Sequence, residues 1–254
     1  MILESFQLHG KNALVTGSRR GMGKAIAVAL AEAGADVLCH GREADSGQVC
    51  EDIRRLGRKA EYFAGDITSA SVCEALVEKI TADFGSIDIL VNNAGIIRRA
   101  KAVEYSAEDW NDVIAADLTA VFRLSQLAGR WMLESGRTGK ILNIASLLSY
   151  QGGVLVPAYA AAKGGVAQLT KALSNEWAAR GINVNAIAPG YTNTDITEEL
   201  RNDPVRSRQI LERIPAGRWG EPRDVAGAAV FLCSRASDYI HGEVVAVDGG
   251  WLSR

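Results

Sequence analysis

Apolar residues along the chain fall into two alternating kinds of run. Short, nearly unbroken apolar stretches stand at 11–16 (KNALVT), 35–40 (ADVLCH), 59–64 (KAEYFA), 87–91 (IDILV), 140–145 (KILNIA), 182–188 (INVNAIA) and 243–248 (EVVAVD). Between them, apolar positions recur every three or four residues. This second pattern covers GMGKAIAVALAEAGA up to Gly34, SGQVCEDIRRLG from Ser46, SASVCEALVEKITADFG, about 106–134, about 157–180, and PRDVAGAAVFLCS. The first kind predicts seven strands and the second predicts helices between them. Strict alternation of the two calls for an α/β fold, a doubly wound parallel sheet with right-handed crossovers and helices on both faces. Strands that are apolar on both sides suit a sheet covered on both sides. No linker, repeat or low-complexity stretch interrupts the pattern, so 1–254 is expected to form a single domain. The stretch 190–220 is weakly periodic and rich in charges, which suggests a mobile flap over a site.

Composition narrows the classes of function. The 254 residues carry a formal net charge of −2 and no basic block, which argues against nucleic acid as a partner. No apolar run reaches the roughly 18–20 residues needed to cross a bilayer. The N-terminal MILESFQLHGKNALVTG lacks a basic segment leading into an apolar one, so no signal peptide is expected. The four cysteines, Cys39, Cys50, Cys73 and Cys233, form no CxxC pair. They read as buried or free thiols of a reducing, cytoplasmic compartment. His9, His40 and His241 are scattered, and no metal site is assigned.

Chemistry concentrates at the ends of the strand candidates, where a doubly wound sheet binds its ligands. The first strand–helix turn, TGSRRGMGK, has Gly17, Gly21 and Gly23. Glycines there allow a tight turn and let a phosphate approach amides at a helix N-terminus. The spacing is not G-x-G-x-x-G, and Ala25 stands where a phosphate loop needs Ser or Thr for magnesium. An empty tight turn is the plain alternative. In PAYAAAKGG, Tyr159 and Lys163 lie four apart and share one helix face. An ammonium beside a phenol is expected to lower a reference pKa near ~10, which would suit the phenol to general acid–base work. Alone, such a pair could equally be a surface contact worth a few tenths of a kcal/mol (roughly 0.2–0.5).

The order TGxxxGxG, NNAG (92–95), Ser146, Tyr-x-x-x-Lys and PGYTNT (189–194) resembles the short-chain dehydrogenase/reductase family, over essentially the whole chain. The resemblance implies a Rossmann-like fold and an enzyme that interconverts a secondary alcohol and a ketone with NAD(P)(H). It implies Tyr159 as acid/base, Lys163 on the nicotinamide ribose and Ser146 on the substrate oxygen. It also implies a cofactor site of Gly17, Ser18, Arg20, Gly21, Met22, Gly23, Arg42, Asp66, Ile67, Asn93, Ala94, Gly95, Pro189, Gly190, Thr192 and Thr194, with Tyr159 and Lys163. Turn chemistry alone could account for several of these positions. One departure stands out. Asp117 occupies the place of the family's usual asparagine, whose backbone carbonyl helps hold a relay water. The backbone group is kept, and a possible charge is added.

The family's sugar-acid branch gives the best likeness, through NNAGIIRRA, SYQGGVLVPAYAAAK, RIPAGRWGEP and VDGGW. It implies a substrate such as 2-deoxy-D-gluconate or 2-dehydro-3-deoxy-D-gluconate. Gluconate 5-dehydrogenases, polyol dehydrogenases and 3-oxoacyl carrier-protein reductases share much of this framework. A non-catalytic dinucleotide-binding redox sensor is the reading of another class, against which the intact Ser146, Tyr159 and Lys163 stand. Arg98 or Arg99 could hold a substrate carboxylate, or could make a surface or subunit contact. Gln151 could bind a hydroxyl, and Tyr191 and Trp251 could wall the pocket or simply pack. After the second strand, Gly41 replaces the acid of NAD-preferring members. With Arg42 and Arg20 nearby this favours NADP(H), although the sugar-acid branch is usually described with NAD. The resemblance further implies a homotetramer built through the 106–134 and 157–180 helices and the chain end.

Overall fold

The computed structural model describes residues 1–44 and 47–253. Seven strands form one sheet: β1 (Asn12–Val15), β2 (Asp36–Gly41), β3 (Ala60–Ala64), β4 (Ile89–Asn92), β5 (Gly139–Ile144), β6 (Ile182–Pro189) and β7 (Val244–Val247). Each lies within two residues of a stretch read as strand from its apolar run. Their order is β3-β2-β1-β4-β5-β6-β7, and every neighbouring pair is parallel. Strand order reverses between β1 and β4, so a crevice opens there at the carboxyl ends.

Alternate strand residues feed two cores. Ala13, Val15, Ile89, Val91, Leu142 and Ile144 face α1 (Gly21–Glu32), α2 (Gln48–Arg55) and α9 (Pro222–Cys233). Leu14, Leu90 and Ile141 face the opposite layer, which includes α3 (Ala70–Phe84), α5 (Ala120–Glu134) and α6 (Pro157–Trp177). All six strand residues named for the first face, and all three for the second, are buried. This two-sided burial explains why the strands read as continuous apolar runs. The helix expected to begin at Ser46 starts at Gln48, and Ser46 itself lies outside the described residues.

Two regions differ from the sequence reading in ways that shape the site. The 106–134 run is not one regular helix. It is α4 (Ala107–Ile114), a π-helical turn over Ala115–Thr119, and α5. Such turns carry an extra residue and recur at functional sites; this one carries Asp117. The 190–220 stretch contains α7 (Glu198–Asn202) and α8 (Pro204–Arg213). Ile210 and Ile214 are buried in a small cluster with Leu147 and Trp251, which seats α8 over the sheet's carboxyl edge. Weak periodicity concealed these helices because α8 buries Ile210 alone and α7 buries no residue, too few to mark a period.

Candidate active site

The glycine turn after β1 is shaped by close approach. Gly17 and Gly21 adopt φ of +63° and +57°, in the left-handed region that favours glycine. A methyl at Gly23 would collide with the Gly17 carbonyl and the Asn93 amide. That amide group is what fastens the turn to the end of β4: Asn93 Nδ2 donates to the carbonyls of Thr16 (2.8 Å) and Gly17 (3.1 Å). Thr16 Oγ1 in turn accepts from the backbone N–H groups of Asn93 (3.0 Å) and Ala94 (3.1 Å). The turn opens on the N-terminus of α1, where dipole and amides favour an anion. A cleft of about 830 Å³ runs from here across the ends of β4, β5 and β6 to α8. The cradle, with no room for a Cβ at Gly17 or Gly23, fits the phosphates of a dinucleotide.

At the β2 end, His40 ties the floor together. It is buried, its Nδ1 accepts from the Gly17 N–H (3.3 Å), and its Nε2 lies 2.9 Å from the Gly65 carbonyl. Burial holds its imidazole below the ordinary value, and one accepting and one donating nitrogen suit the neutral form. Gly41 leaves room for Tyr62, whose hydroxyl a Cβ there would strike. Arg42 pairs with Asp66 at 3.2 Å. Against burial, the Thr68 amide and hydroxyl and the Arg42 guanidinium hold the Asp66 carboxyl below the usual carboxylate range. Arg20 leans the other way, to Asp195 at 2.8 Å. Arg19, which the sequence reading passed over, sits beside Gly41 and reaches Glu43 at 3.1 Å. Arg19, Arg20 and Arg42 thus all line this end of the cleft, each paired with a carboxylate, and Arg19 joins the two arginines expected there from the sequence.

The reacting groups converge between β5, α6 and the π-helical turn. Ser146 follows β5, and its Oγ accepts from the Leu148 N–H at 3.2 Å. Ser149 Oγ donates to the Lys163 carbonyl at 2.7 Å, which pins this loop to α6. Lys163 is buried; its Nζ donates to the Ile144 carbonyl (3.0 Å), lies 3.3 Å from Asp117 Oδ2 and sits 5.4 Å from the centre of the Tyr159 ring. Asp117 is fully buried, and its Oδ1 accepts from the Ile96 N–H at 2.7 Å. A Cβ at Gly95 would come within 2.7 Å of Asp117 Oδ2, so the NNAG turn needs its glycine to reach this carboxylate.

The electrostatics differ from the simple Tyr–Lys picture. Burial pushes the Tyr159 phenol up; Lys163 and a hydrogen bond with Ser146 pull it down, while Asp117 pushes it up again. Net, the phenol lies above its ordinary value, not below it. Burial also raises the Asp117 carboxyl, against the pull of Lys163. Lys163 is raised despite burial, because Asp117 and Tyr159 favour its charged form. Burial is the main reason the ammonium does not bring the phenol below its ordinary value, and the carboxylate that stands in place of the expected asparagine adds to it.

At the far end, Pro189, Gly190, Tyr191, Thr192 and Thr194 line the cleft along the continuation of β6. Thr192 is buried, and its hydroxyl donates to the Gly190 carbonyl at 3.1 Å. Arg98 turns to Asp109 (3.3 Å) and Asp112 (3.8 Å) of α4. Arg99 donates to the Ile196 carbonyl (2.9 Å) and pairs with Glu199 (3.3 Å), joining the loop after β4 to α7. Tyr191 packs between Trp219 and Trp251, with ring centres 5.6 Å and 4.7 Å away.

Almost all the residues singled out from the sequence line this one cleft, Met22, Ile67 and Gln151 among them. Ser18 does not. It is fully buried, and its Oγ accepts from the His40 N–H at 2.9 Å, a structural contact beneath the turn. Reading from the sequence missed His40, Arg19 and the α8 side chains Arg206, Gln209 and Arg213. The spacing of the last three around Ile210 was the available signal. Among the described residues no group of three or more His, Cys, Asp or Glu is placed to hold a metal, and no helix is long and apolar enough to cross a membrane.

Comparison with known proteins bears on this arrangement. Residues 17–252 match a family profile described as enoyl-(acyl carrier protein) reductase. The 2-dehydro-3-deoxy-D-gluconate 5-dehydrogenase of Dickeya dadantii (strain 3937) is 51 % identical over 254 residues, 100 % of both chains. A protein of Agrobacterium tumefaciens, provisionally described as a 2-deoxy-D-gluconate 3-dehydrogenase and crystallised with bound NADP, is 53 % identical with a TM-score of 0.93. The alignment covers 98 % of this chain and 99 % of that one. A gluconate 5-dehydrogenase from Burkholderia cenocepacia J2315, crystallised with NADP and tartrate, is 39 % identical with a TM-score of 0.95 over 100 % of both chains. Sequence relatives and fold neighbours agree over the full length, and the chain belongs to the short-chain dehydrogenase/reductase family.

Proposed function

We propose that this protein is an NAD(P)-dependent dehydrogenase, favouring NADP(H), that interconverts a secondary alcohol and a ketone on a sugar acid of the gluconate type. The observation that carries the reading is the convergence of Ser146, Tyr159 and Lys163 at one end of a cleft whose other end is a glycine cradle. Relatives of about half identity named for 2-dehydro-3-deoxy-D-gluconate support the substrate class. Neighbours crystallised with NADP support the cofactor, as do Arg19 and Arg42 flanking Gly41, where an acid would repel a 2′-phosphate.

A bound nicotinamide dinucleotide would supply the hydride acceptor or donor. Gly17, Gly21 and Gly23 would hold its phosphates, Asp66 and Ile67 would meet the adenine, and Lys163 and the 189–194 turn would meet the nicotinamide end. The protein's own work is proton transfer and orientation. In alcohol oxidation, Ser146 Oγ holds the substrate oxygen, and deprotonated Tyr159 takes the hydroxyl proton. In ketone reduction, the neutral phenol gives it back. Lys163 stabilises the phenolate, and Asp117 holds Lys163 charged while opposing ionisation of Tyr159. The whole chain would act as one catalytic domain with α7 and α8 as its cover. We further propose a cytoplasmic homotetramer; the exposed Val103, Trp110 and Phe122 near α4 and α5 support an interface on that side.

The test is steady-state kinetics with both cofactors against a panel of sugar acids and neutral polyols. We expect kcat/KM to be highest for a gluconate-type acid with NADP. A preference for NAD of about tenfold or more, or for polyols over acids, would overturn the corresponding part of the reading.

A further inference from the structure

Gly41 is a glycine that its backbone does not require. It is the last residue of β2 and is not among the glycines with a positive φ, so its conformation would suit other residues. What it lacks is room for a side chain. A Cβ at Gly41 would strike the Tyr62 hydroxyl and would lie 3.5 Å from the Arg19 Cβ. Tyr62 stands on β3, where its register partner on β2 is Cys39, two residues before Gly41. Its hydroxyl reaches forward to the end of β2 and donates to the Glu43 carbonyl at 2.9 Å. The ring packs against the core on the α1, α2 and α9 side of the sheet. A side chain gripped at both ring and tip yields to a new neighbour only at a cost.

The loop that follows Gly41 is tied at two further points. The Glu43 carboxylate turns to Arg19 of the glycine turn at 3.1 Å, and Arg42 turns to Asp66 after β3 at 3.2 Å. Residues 41–43 are therefore held from the glycine turn, from β3 and from the turn after β3. Gly41, Arg42, Arg19 and Asp66 all line the cleft. In a doubly wound sheet, an acid at the end of the second strand takes the ribose 2′-hydroxyl and repels a 2′-phosphate. Here such an acid has nowhere to stand, because its first carbon would fall on the phenol of Tyr62.

We propose that Tyr62 is a specificity-determining residue for the cofactor: its hydroxyl fills the place where an NAD-selecting acid would begin, and its bond to the Glu43 carbonyl holds the 41–43 loop. This rests on the NADP(H) reading above and deepens it. Gly41 and Tyr62 work as one unit. A single acid introduced at 41 displaces the phenol or the loop before it can meet a ribose, so it harms both cofactors. With the phenol removed, the acid can stand and select NAD.

The experiment is calorimetric titration of NADP and of NAD, which needs no turnover. It is run on wild type, Gly41→Ala, Tyr62→Phe and the double variant of these two, then on Gly41→Asp with and without Tyr62→Val. With the hydroxyl gone, the nearest ring atom would lie 3.3 Å from the new methyl. Gly41→Ala should therefore weaken NADP about tenfold alone and much less beside Tyr62→Phe, the non-additivity of groups in contact. Gly41→Asp should weaken both dinucleotides. Adding Tyr62→Val should then tighten NAD about tenfold or more while NADP stays weak. Equal effects of Gly41→Ala in the two backgrounds would overturn the proposal. So would a Gly41→Asp that binds NAD more tightly than wild type with Tyr62 in place. If the Asp/Val double fails to fold, the first cycle still decides, since its changes add one carbon and remove one oxygen. If wild type itself binds NAD more tightly than NADP, the cofactor part of the functional reading falls. The first cycle, read with NAD, then decides the Gly41–Tyr62 pair alone: coupling would support it and additivity would overturn it.

Discussion

Asp117 places a buried carboxylate 3.3 Å from the Lys163 ammonium, where the family usually has a neutral amide. Its Oδ1 does the structural work of accepting from the Ile96 N–H, which an asparagine oxygen can also do. Its charge does something an asparagine cannot: it opposes ionisation of Tyr159. The phenol's position above its ordinary value therefore has an identifiable cause besides burial. Replacing the carboxylate by the amide removes that push, so the Tyr159 pKa should fall. Alcohol oxidation needs the deprotonated phenol, so in Asp117→Asn the acidic limb of kcat/KM against pH should move to lower pH. Ketone reduction needs the neutral phenol, so its alkaline limb should move the same way. Limbs that stay in place would show that Asp117 carries no charge in the working enzyme.

Helix packing follows the same logic of close approach. Gly129 sits on the buried face of α5, and a Cβ there would lie 2.8 Å from the Trp177 ring of α6. Alanine would gain up to about 1 kcal/mol in helix propensity. Overpacking against a buried indole costs about 1–3 kcal/mol. The second effect should win, and Gly129→Ala should lower the urea midpoint by about 1 kcal/mol equivalent, without changing the slope. A rise in midpoint would contradict this packing. Neither that contact nor the π-helical turn was legible in the chain, because both depend on which helices meet. The strands and most helices were legible, since a sheet covered on both faces writes its burial directly as unbroken apolar runs. The α8 arginines were not, because 190–220 buries too few residues to show a period, and an arginine lining a cleft looks in sequence like one facing solvent.

The whole molecule combines a cofactor end recognisable by its glycines with a substrate end that only the fold assembles. TGSRRGMGK and the Tyr159–Lys163 pair could be read at once; the turn of Arg20 to Asp195 could not. Assembly is a property of this scale. If the α4–α5 side carrying Trp110 and Phe122 closes an interface, sedimentation in dilute buffer should give a species of four times the 27.1 kDa chain mass. A single 27.1 kDa species would contradict the tetramer. The central claim, that Tyr159 exchanges the proton of a sugar-acid hydroxyl, is tested most directly by comparing wild type with Tyr159→Phe. Formation of reduced nicotinamide from 2-deoxy-D-gluconate and NADP is followed in both, with NADP affinity measured alongside. The account predicts a kcat lower by about 10²–10⁴-fold with NADP affinity largely kept, because the substitution removes the proton and preserves the ring. A variant that retained more than about a tenth of the wild-type kcat would contradict it, since acid–base catalysis is worth more than that.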